Sequence, residues 1–188
     1  MENAGLLQLL HDAVMARPDS KSSFYVFYDR LQTVQSNQVP WLIRNAECRL
    51  VLHKNCRNTE NICRTALSLL PKHGRTEVLR GIAGKIPCIH FSSKETCLKD
   101  MDTVIDGLRR DGINDIVILT LSTEADSLVN KAAKNGSYGE CRFMSCRKFK
   151  GLEADAVILV DFTERTVTDD AMLFYVGASR ARIRLEIM

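Results

Sequence analysis

Two apolar stretches decide the fold of this chain: Asp115-Ile116-Val117-Ile118-Leu119-Thr120 and Ala156-Val157-Ile158-Leu159-Val160. Each is a short continuous run of aliphatic residues, which is typical of a strand that is buried on both faces. Amphipathic segments with helical spacing surround them, among them residues 93–111, where apolar residues recur on one side. Strands that alternate with helices predict a parallel α/β sheet covered by helices on both faces.

The same alternation continues along the rest of the chain. Further strands are predicted at 24–28, 49–53, 86–91, 141–145 and 183–187, and further helices at 2–17, 59–70, 125–134 and 170–180. Pro18 and Pro71 end the first two of these helices, because proline disfavours helical backbone in the residue before it. We expect Trp41 and Leu42 to lie in a connecting loop, and residues 72–85 to form a loop or a weak hairpin.

Composition narrows the class of protein. The chain has 188 residues and 45% hydrophobic content, enough for one domain with a real core. Its net charge of +3 permits contact with nucleic acid but does not demand it. No apolar run reaches the roughly 18 residues of a membrane span, and no signal region opens the chain. We therefore expect a cytoplasmic protein without membrane association.

Seven cysteines suggest a disulfide set or a metal site until their spacing is examined. No C-x-x-C pair occurs, and none of the four histidines stands at zinc-finger spacing from a cysteine pair. Several of the cysteines lie in apolar surroundings, where cysteine behaves as a small hydrophobe. The sequence therefore predicts reduced structural thiols and no metal site.

The glycine-lysine pair Gly84-Lys85 resembles a phosphate-binding loop only superficially. The preceding glycine, Gly81, is too close, Ile86 stands where a Ser or Thr would hold magnesium, and no buried strand leads into the loop. We predict neither a Walker A loop nor an acidic Walker B cluster in this chain. A two-metal nuclease site is also unsupported, because no cluster of carboxylates has the required spacing.

Two arginines are candidates for contact with a nucleotide that is held elsewhere. Arg57 follows the end of a predicted strand, and Arg180 lies late in a predicted helix. Arginines brought in across an interface stabilise the charge on a γ-phosphate during phosphoryl transfer. An arginine beside a strand is, however, more often a surface salt-bridge partner. The surrounding motifs therefore have to decide between these interpretations.

Four motifs stand in a fixed order: Asp29-Arg30-Leu31-Gln32, Asn55-Cys56-Arg57-Asn58-Thr59, Lys150-Gly151-Leu152-Glu153 and Ser179-Arg180-Ala181. With their spacings they resemble motifs III to VI of UvrD/Rep-like superfamily 1 DNA helicases, over residues 24–182. The resemblance implies a second RecA-like motor domain at 40–188 and the tail of the first at 1–35. It leads us to expect that this chain is a fragment of a larger protein, and that the fragment lacks the first RecA-like domain.

The resemblance also implies a nucleotide site. Gln32 would sense the γ-phosphate between the two motor domains, while Arg57 and Arg180 would both reach that phosphate. Glu153 would hydrogen-bond the ribose, and Gly151 would let backbone approach the nucleotide closely. Asp29, in the same motif as Gln32, would belong to the nucleotide-binding set.

A second set of residues would contact single-stranded DNA. In the family pattern T-x-H-x-x-K-G-L-E, the Thr and the His bind backbone phosphates, and Ser145 and Arg147 stand at those positions here. A serine hydroxyl and an arginine fork both suit phosphate. Lys148 and Lys150, with Arg142 nearby, would add positive charge. Alternatively this basic run is simply a solvated face.

Two departures from the family pattern point to a divergent branch. Cys56 replaces a tyrosine that stacks on adenine, so the base would be held less firmly, since such stacking is worth about 1–3 kcal/mol on nucleic acids. Gln35 replaces an aromatic residue that stacks on a DNA base. The segment between residues 59 and 115 also has too few residues to contain the long insertion of Rep-type enzymes.

The function that the resemblance implies is ATP-driven translocation along single-stranded DNA and unwinding, most often in DNA repair. ATP and Mg²⁺ would bind only in the complete protein, and we expect neither on this fragment, nor ATP hydrolysis by it alone. Its partners would be single-stranded DNA and the missing first RecA-like domain. The alternative is a non-catalytic RecA-like module that binds nucleic acid or protein.

Overall fold

The computed structural model describes residues 4–16, 22–28, 41–51, 54–70, 77–78, 81–93 and 95–188. The chain divides into two compact units, Met1–Leu52 and His53–Met188. Asp29 and Gln32, predicted to bind nucleotide and to sense the γ-phosphate, lie outside the described residues, as does Gln35.

The described residues of the first unit contain two helices. Helix α1 spans Ala4–Met15, in agreement with the predicted helix at 2–17, and helix α2 spans Trp41–Arg44 where we predicted a loop. The predicted strand at 24–28 is wrong: this segment has no regular structure, and Phe27 is 96% exposed. A strand needs a hydrogen-bonded neighbour, and no ladder reaches this segment among the described residues.

The second unit contains the remaining elements. They are β1 (Lys54–Asn55), α3 (Glu60–Leu67), β2 (Glu77–Val78), β3 (Cys88–Ile89), α4 (Cys97–Arg110), β4 (Ile116–Thr120), α5 (Asn130–Lys134), β5 (Arg142–Ser145), β6 (Ala154–Val160), α6 (Glu164–Thr168), α7 (Ala171–Ala178) and β7 (Ala181–Ile187). Strands β1 and β2 form a separate parallel pair. The other five form one sheet in the order β3-β7-β6-β4-β5.

All neighbours in the five-stranded sheet run parallel, which confirms the predicted RecA-like α/β fold. On one face, Met101 and Leu108 of α4 pack against Ile118 of β4 and Ile158 of β6. On the other face, α7 approaches the sheet so closely that a Cβ on Gly177 would lie 2.7 Å from a methyl group of Leu159. Helices therefore cover both faces, and all five residues of β4 are buried.

Several element boundaries differ from the sequence prediction. The strand predicted at 49–53 is wrong over residues 49–51, which are irregular, and the next strand begins at Lys54. Strand β3 has two residues instead of six, and α6 was not predicted. The apolar spacing in residues 93–111 predicts a buried Leu98, but on α4 Leu98 is exposed and Cys97 occupies the buried position at the start of the helix. None of the described helices is long and apolar enough to cross a membrane.

Candidate functional site

The loop after β1 is shaped by the side chain of Asn55. Its Oδ1 accepts hydrogen bonds from the backbone N–H groups of Arg57 (3.0 Å) and Asn58 (3.1 Å), and its Nδ2 donates to Asn58 Oδ1 (2.8 Å). Asparagine favours such turns because its short side chain can bond the backbone a few residues further on. The local sequence N-x-R-N therefore folds into a turn that leaves Arg57 exposed and Asn58 buried.

Asn58 connects this loop to a distant part of the chain. The side chain is buried, and its Nδ2 donates to the backbone carbonyls of Ser179 (3.0 Å) and Ala181 (2.5 Å), 121 and 123 residues further along. These two carbonyls flank Arg180, at the junction of α7 and β7. Asn58 thus joins the loop that carries Arg57 to the segment that carries Arg180, a role that sequence reasoning missed.

Arg57 forms an ion pair with Glu153. The Arg57 Nε lies 2.9 Å from Glu153 Oε2, and both side chains are substantially exposed. Arg182 lies on the other side of the same carboxylate, 3.8 Å from Glu153 Oε1, and also pairs with Asp155 at 3.4 Å. Exposed ion pairs contribute about 0–1 kcal/mol, so a charged ligand can exchange with these contacts at little cost.

Arg180 has a very different environment, because its side chain is only 1% exposed. The Nε donates to the carbonyl of Val176 (2.9 Å), in the last turn of α7, and Nη1 lies 3.5 Å from the carbonyl of Leu152. A cation that bonds the last carbonyls of a helix stabilises the helix terminus. In this conformation the guanidinium group lies inside the domain, beneath the segment 152–153.

The two predicted arginines nevertheless converge. Arg57 contacts the side chain of Glu153, and Arg180 contacts the backbone of Leu152, the residue immediately before it. The Ala154 N–H also donates to the Arg180 carbonyl (3.1 Å), which ties the start of β6 to the start of β7. Three motifs that are far apart in sequence therefore meet around one exposed dipeptide, Leu152–Glu153.

Gly151 directs the chain into that dipeptide. Its φ is 93°, in the left-handed region that favours glycine. Apart from Gly151 and its two chain neighbours, no atom of the described residues lies within 4 Å of the position that a Cβ would occupy. Glycine is therefore required here by the backbone conformation and not by a steric contact.

Ser145 and Lys148 lie at the other end of the same loop, where β5 ends. Ser145 is buried, its N–H donates to Glu124 Oε1 (3.1 Å), and its Oγ accepts from the Lys148 N–H (3.4 Å). The Lys148 Nζ lies 2.8 Å from Glu124 Oε2. The Lys148 ammonium group and the Ser145 N–H together hold the pKa of Glu124 below its ordinary value. Glu124 thus offsets part of the positive charge that the sequence predicted here.

The other basic residues near this loop divide into two groups. Arg142 pairs with Asp115 (2.8 Å) and stacks over the ring of Phe149, with its Cζ 5.4 Å from the ring centroid. Arg147 and Lys150 are exposed, and no carboxylate lies within ion-pair distance of Arg147 among the residues that the structure describes. Arg147 is therefore the predicted phosphate-binding cation that the ion pairs leave most accessible.

The Gly84-Lys85 loop has a structural role. The first N–H groups of α3, from Glu60 and Asn61, donate to the carbonyls of Ile82 and Ala83 (both 3.0 Å). These two N–H groups are thereby bonded to backbone carbonyls of the loop and do not face an anion. Gly84 crosses directly over Thr59, where a Cβ would approach the threonine hydroxyl to 2.4 Å.

The cysteines carry free thiols, of which Cys63, Cys97 and Cys146 are buried. Burial raises the pKa of Cys146 to about 12. One cluster can hold a metal ion, however: donor atoms of Cys88, His90 and Glu186 all lie within 4.8 Å of one another. Spacing rules could not find this cluster, because two donors are separated by one residue and the third comes from a different strand.

Comparison with known proteins agrees with this geometry. Residues 140–188 match the sequence model of the UvrD-like helicase C-terminal domain, a segment that includes the motifs around Glu153 and Arg180. Among the solved structures that match is the C-terminal domain of a possible DNA helicase from Lactobacillus plantarum WCFS1. It is 18% identical, with a TM-score of 0.51 over 70% of this chain and 85% of that one. No curated protein sequence matches significantly.

The structural similarity, at that identity, establishes the RecA-like fold, and the sequence match covers the end of the sheet where the motifs converge. The motifs, the fold and the matched segment agree with one another. Residues 140–188 therefore resemble the UvrD-like helicase C-terminal domain in sequence, and the sheet to which they belong has a RecA-like fold.

Proposed function

We propose that this chain is the second motor domain of an ATP-dependent DNA helicase, in which Arg57 and Arg180 stabilise the γ-phosphate of an ATP held by another domain. The observation that carries the proposal is the convergence of both arginines on Leu152–Glu153. That dipeptide lies in the segment that matches the helicase family. Charge on the transferred phosphoryl group is what such arginines stabilise.

In this mechanism Arg57 exchanges its partner. When ATP enters, the exposed Arg57–Glu153 pair opens, and the guanidinium group turns to the phosphate while the carboxylate accepts from the ribose hydroxyls. Arg182, on the far side of Glu153, keeps the carboxylate oriented. Gln32 and Asp29 would contribute from the preceding segment, as the family resemblance implies. The chain has no Walker A loop, so ATP and Mg²⁺ must be gripped by a different domain.

Arg180 requires a local movement. Its guanidinium group is covered by Leu152, whose side chain is exposed and whose preceding residue is glycine. Displacement of the segment 151–153 would uncover Arg180 while Asn58 keeps the α7–β7 junction in register. Closure of two domains on a nucleotide commonly moves short loop segments of this kind.

The nucleic-acid partner that we propose is single-stranded DNA. Arg147 and Lys150 are exposed on the turn after β5, and Ser145 stands at the end of that strand. Phosphate would compete with Glu124 for Lys148. The solved structure with the same fold is described as part of a possible DNA helicase, which supports this choice of partner.

A second candidate is a non-catalytic binding module. Its specific support is the burial of Arg180 and the internal pairing of Arg57, since both guanidinium groups have partners without any nucleotide. In that case the arginines hold Leu152–Glu153 in position, and the basic turn alone binds a partner. The two candidates predict different results from one experiment.

The test measures ATP hydrolysis, with and without single-stranded DNA, by the full-length product of the gene that encodes this chain. Under the motor proposal, Arg57→Ala and Arg180→Ala each lower kcat by about 10³–10⁵-fold, the range known for arginine fingers. Arg180→Lys keeps a buried cation, so it tests charge placement with less risk to folding. Arg110→Ala, on the exposed face of α4, is the control and leaves the rate unchanged.

Circular dichroism of each variant separates loss of folding from loss of catalysis. If the folded Arg57→Ala and Arg180→Ala proteins hydrolyse ATP like the parent, the arginines do not act on the phosphate and the motor mechanism is wrong. If the parent hydrolyses no ATP but binds single-stranded DNA, and Arg147→Ala weakens that binding, the binding module is the correct function.

A further inference from the structure

The strand pair β3–β7 places three metal-ligating side chains together, away from Leu152–Glu153. Cys88 and His90 are two residues apart, so their side chains leave the same face of the extended chain. Glu186 of β7 is the register partner of Cys88 in the parallel ladder. One donor atom from each residue lies within 4.8 Å of the other two.

The cluster combines a buried anchor with accessible ligands. The Glu186 side chain is 6% exposed, the His90 side chain is 28% exposed and Cys88 is exposed. His90 Nε2 and Glu186 Oε2 are 2.8 Å apart, within hydrogen-bond distance. Because Cys88 and part of His90 are exposed, an ion can reach the buried carboxylate from the Cys88 side.

The surrounding charges hold Glu186 in place. Arg184 Nη2 bonds the other carboxylate oxygen, Oε1, at 2.9 Å, which leaves Oε2 directed at His90. Arg184 is itself paired with Asp111 (2.6 Å), which also accepts from Lys85 (2.8 Å). This network contains two cations and two carboxylates, so its charges balance. Arg184 therefore adds no net positive charge beside the cluster. Orientation of a ligand by such outer contacts is typical of metal sites.

We propose that Cys88, His90 and Glu186 form a binding site for Zn²⁺, with water as the fourth ligand. Thiolate, imidazole and carboxylate together suit zinc, which is usually tetrahedral and accepts sulfur, nitrogen and oxygen. On binding, the Cys88 thiol releases its proton to solvent. His90 then ligates as neutral imidazole, with its ring proton on the nitrogen that does not bind the ion, and Glu186 ligates as carboxylate.

The ion would fasten the edge of the sheet. Strand β3 is an edge strand with only two ladder residues, and it contacts the rest of the sheet through β7. A metal bridging Cys88 and His90 to Glu186 crosslinks these two strands, so zinc raises the melting temperature of the domain. This site is independent of the nucleotide chemistry proposed above.

The experiment uses the untagged, reduced chain, freed of metal by a chelator. Titration with Co²⁺ is expected to saturate at one ion per chain, with a visible d–d spectrum of tetrahedral cobalt and a near-ultraviolet band from sulfur-to-cobalt charge transfer. Zn²⁺ then displaces the cobalt and erases both. Competition with a chromophoric chelator gives the zinc dissociation constant.

Variants assign the ligands. Cys88→Ser removes the charge-transfer band, and Cys88→Ser and His90→Gln each weaken zinc binding at least 10-fold, since loss of even an outer-shell partner commonly costs about 10–100-fold. Cys48→Ser and His11→Gln, in the other unit of the chain, leave affinity and spectrum unchanged. If the parent binds less than one equivalent of Co²⁺ without a sulfur band, or if the control variants lose affinity as much as the ligand variants, the proposed site does not exist.

Discussion

The connection that Asn58 makes across the domain leads to a quantitative prediction. Its side-chain amide is buried, and it donates to the Ser179 and Ala181 carbonyls on either side of Arg180. Asn58→Ala removes both donors and leaves two carbonyls in an interior that water does not reach. A buried group left without its partner costs about 1–3 kcal/mol, so we expect the variant to lose about 2–4 kcal/mol of unfolding free energy.

Asn58→Asp tests whether hydrogen bonding, and not shape, causes this loss. The substitution keeps the size of the side chain but turns an oxygen toward the two carbonyl oxygens. We expect it to destabilise the domain at least as much as Asn58→Ala. Asn61→Ala is the matched control, because the Asn61 side chain donates one hydrogen bond, to the Gly84 carbonyl, in an exposed position. Its expected cost is below about 1 kcal/mol.

Urea denaturation followed by far-ultraviolet circular dichroism is the assay, since the strands and most of the helices in the described part of the chain belong to the second unit. The midpoint should fall for both Asn58 variants while the slope of free energy against urea stays constant. Equal midpoints for Asn58→Ala and Asn61→Ala would refute the reasoning, because the two carbonyls would then have found other partners at no cost.

Two further predictions concern packing under α7. Gly177→Ala should destabilise the domain by about 1–2 kcal/mol, because a Cβ there would lie 2.7 Å from both Cys146 Sγ and Leu159 Cδ2. Gly107→Ala, on α4, should instead stabilise by about 0.5–1 kcal/mol through helix propensity, because a Cβ there would meet no described residue within 4 Å beyond its chain neighbours and the helix backbone. Thermal melts that shift both variants in the same direction would contradict this contrast. Alkylation by iodoacetamide at pH 8, read by peptide mass spectrometry, should modify exposed Cys48, Cys56 and Cys88 and spare Cys146, whose pKa burial raises to about 12. Rapid modification of Cys146 in the folded protein would show that α7 does not cover it.

The predictions that succeeded rest on burial of continuous apolar runs. Strands β4 and β6 lie where the aliphatic stretches 115–120 and 156–160 predicted them, because only a fully covered strand tolerates such a run. Helix α4 follows from its amphipathic spacing in the same way. The predictions failed where strand formation depends on hydrogen bonding to a neighbouring strand. Residues 24–28 have strand-like composition but pair with no strand among the described residues.

In the candidate site, too, the residues could be predicted from motifs but their contacts could not. Sequence motifs predicted Arg57, Arg180, Gly151 and Glu153 as site residues from the order and spacing of the motifs, and their roles stay a prediction. Nothing in the sequence indicated that Arg180 is buried or that Glu124 pairs with Lys148, since both depend on which segments the fold brings together. Composition likewise overestimated the positive charge around Ser145, because carboxylates from other loops approach it.

By itself, therefore, the sequence of this protein determined the class of fold, the order of its principal strands and helices and the identity of four motifs. These are properties of local periodicity and residue type. The tertiary structure alone decided which side chains meet: Asn58 with the residues around Arg180, both arginines with Leu152–Glu153, and Cys88 and His90 with Glu186. Such contacts depend on parallel strand order and register, which join residues that lie far apart in the chain.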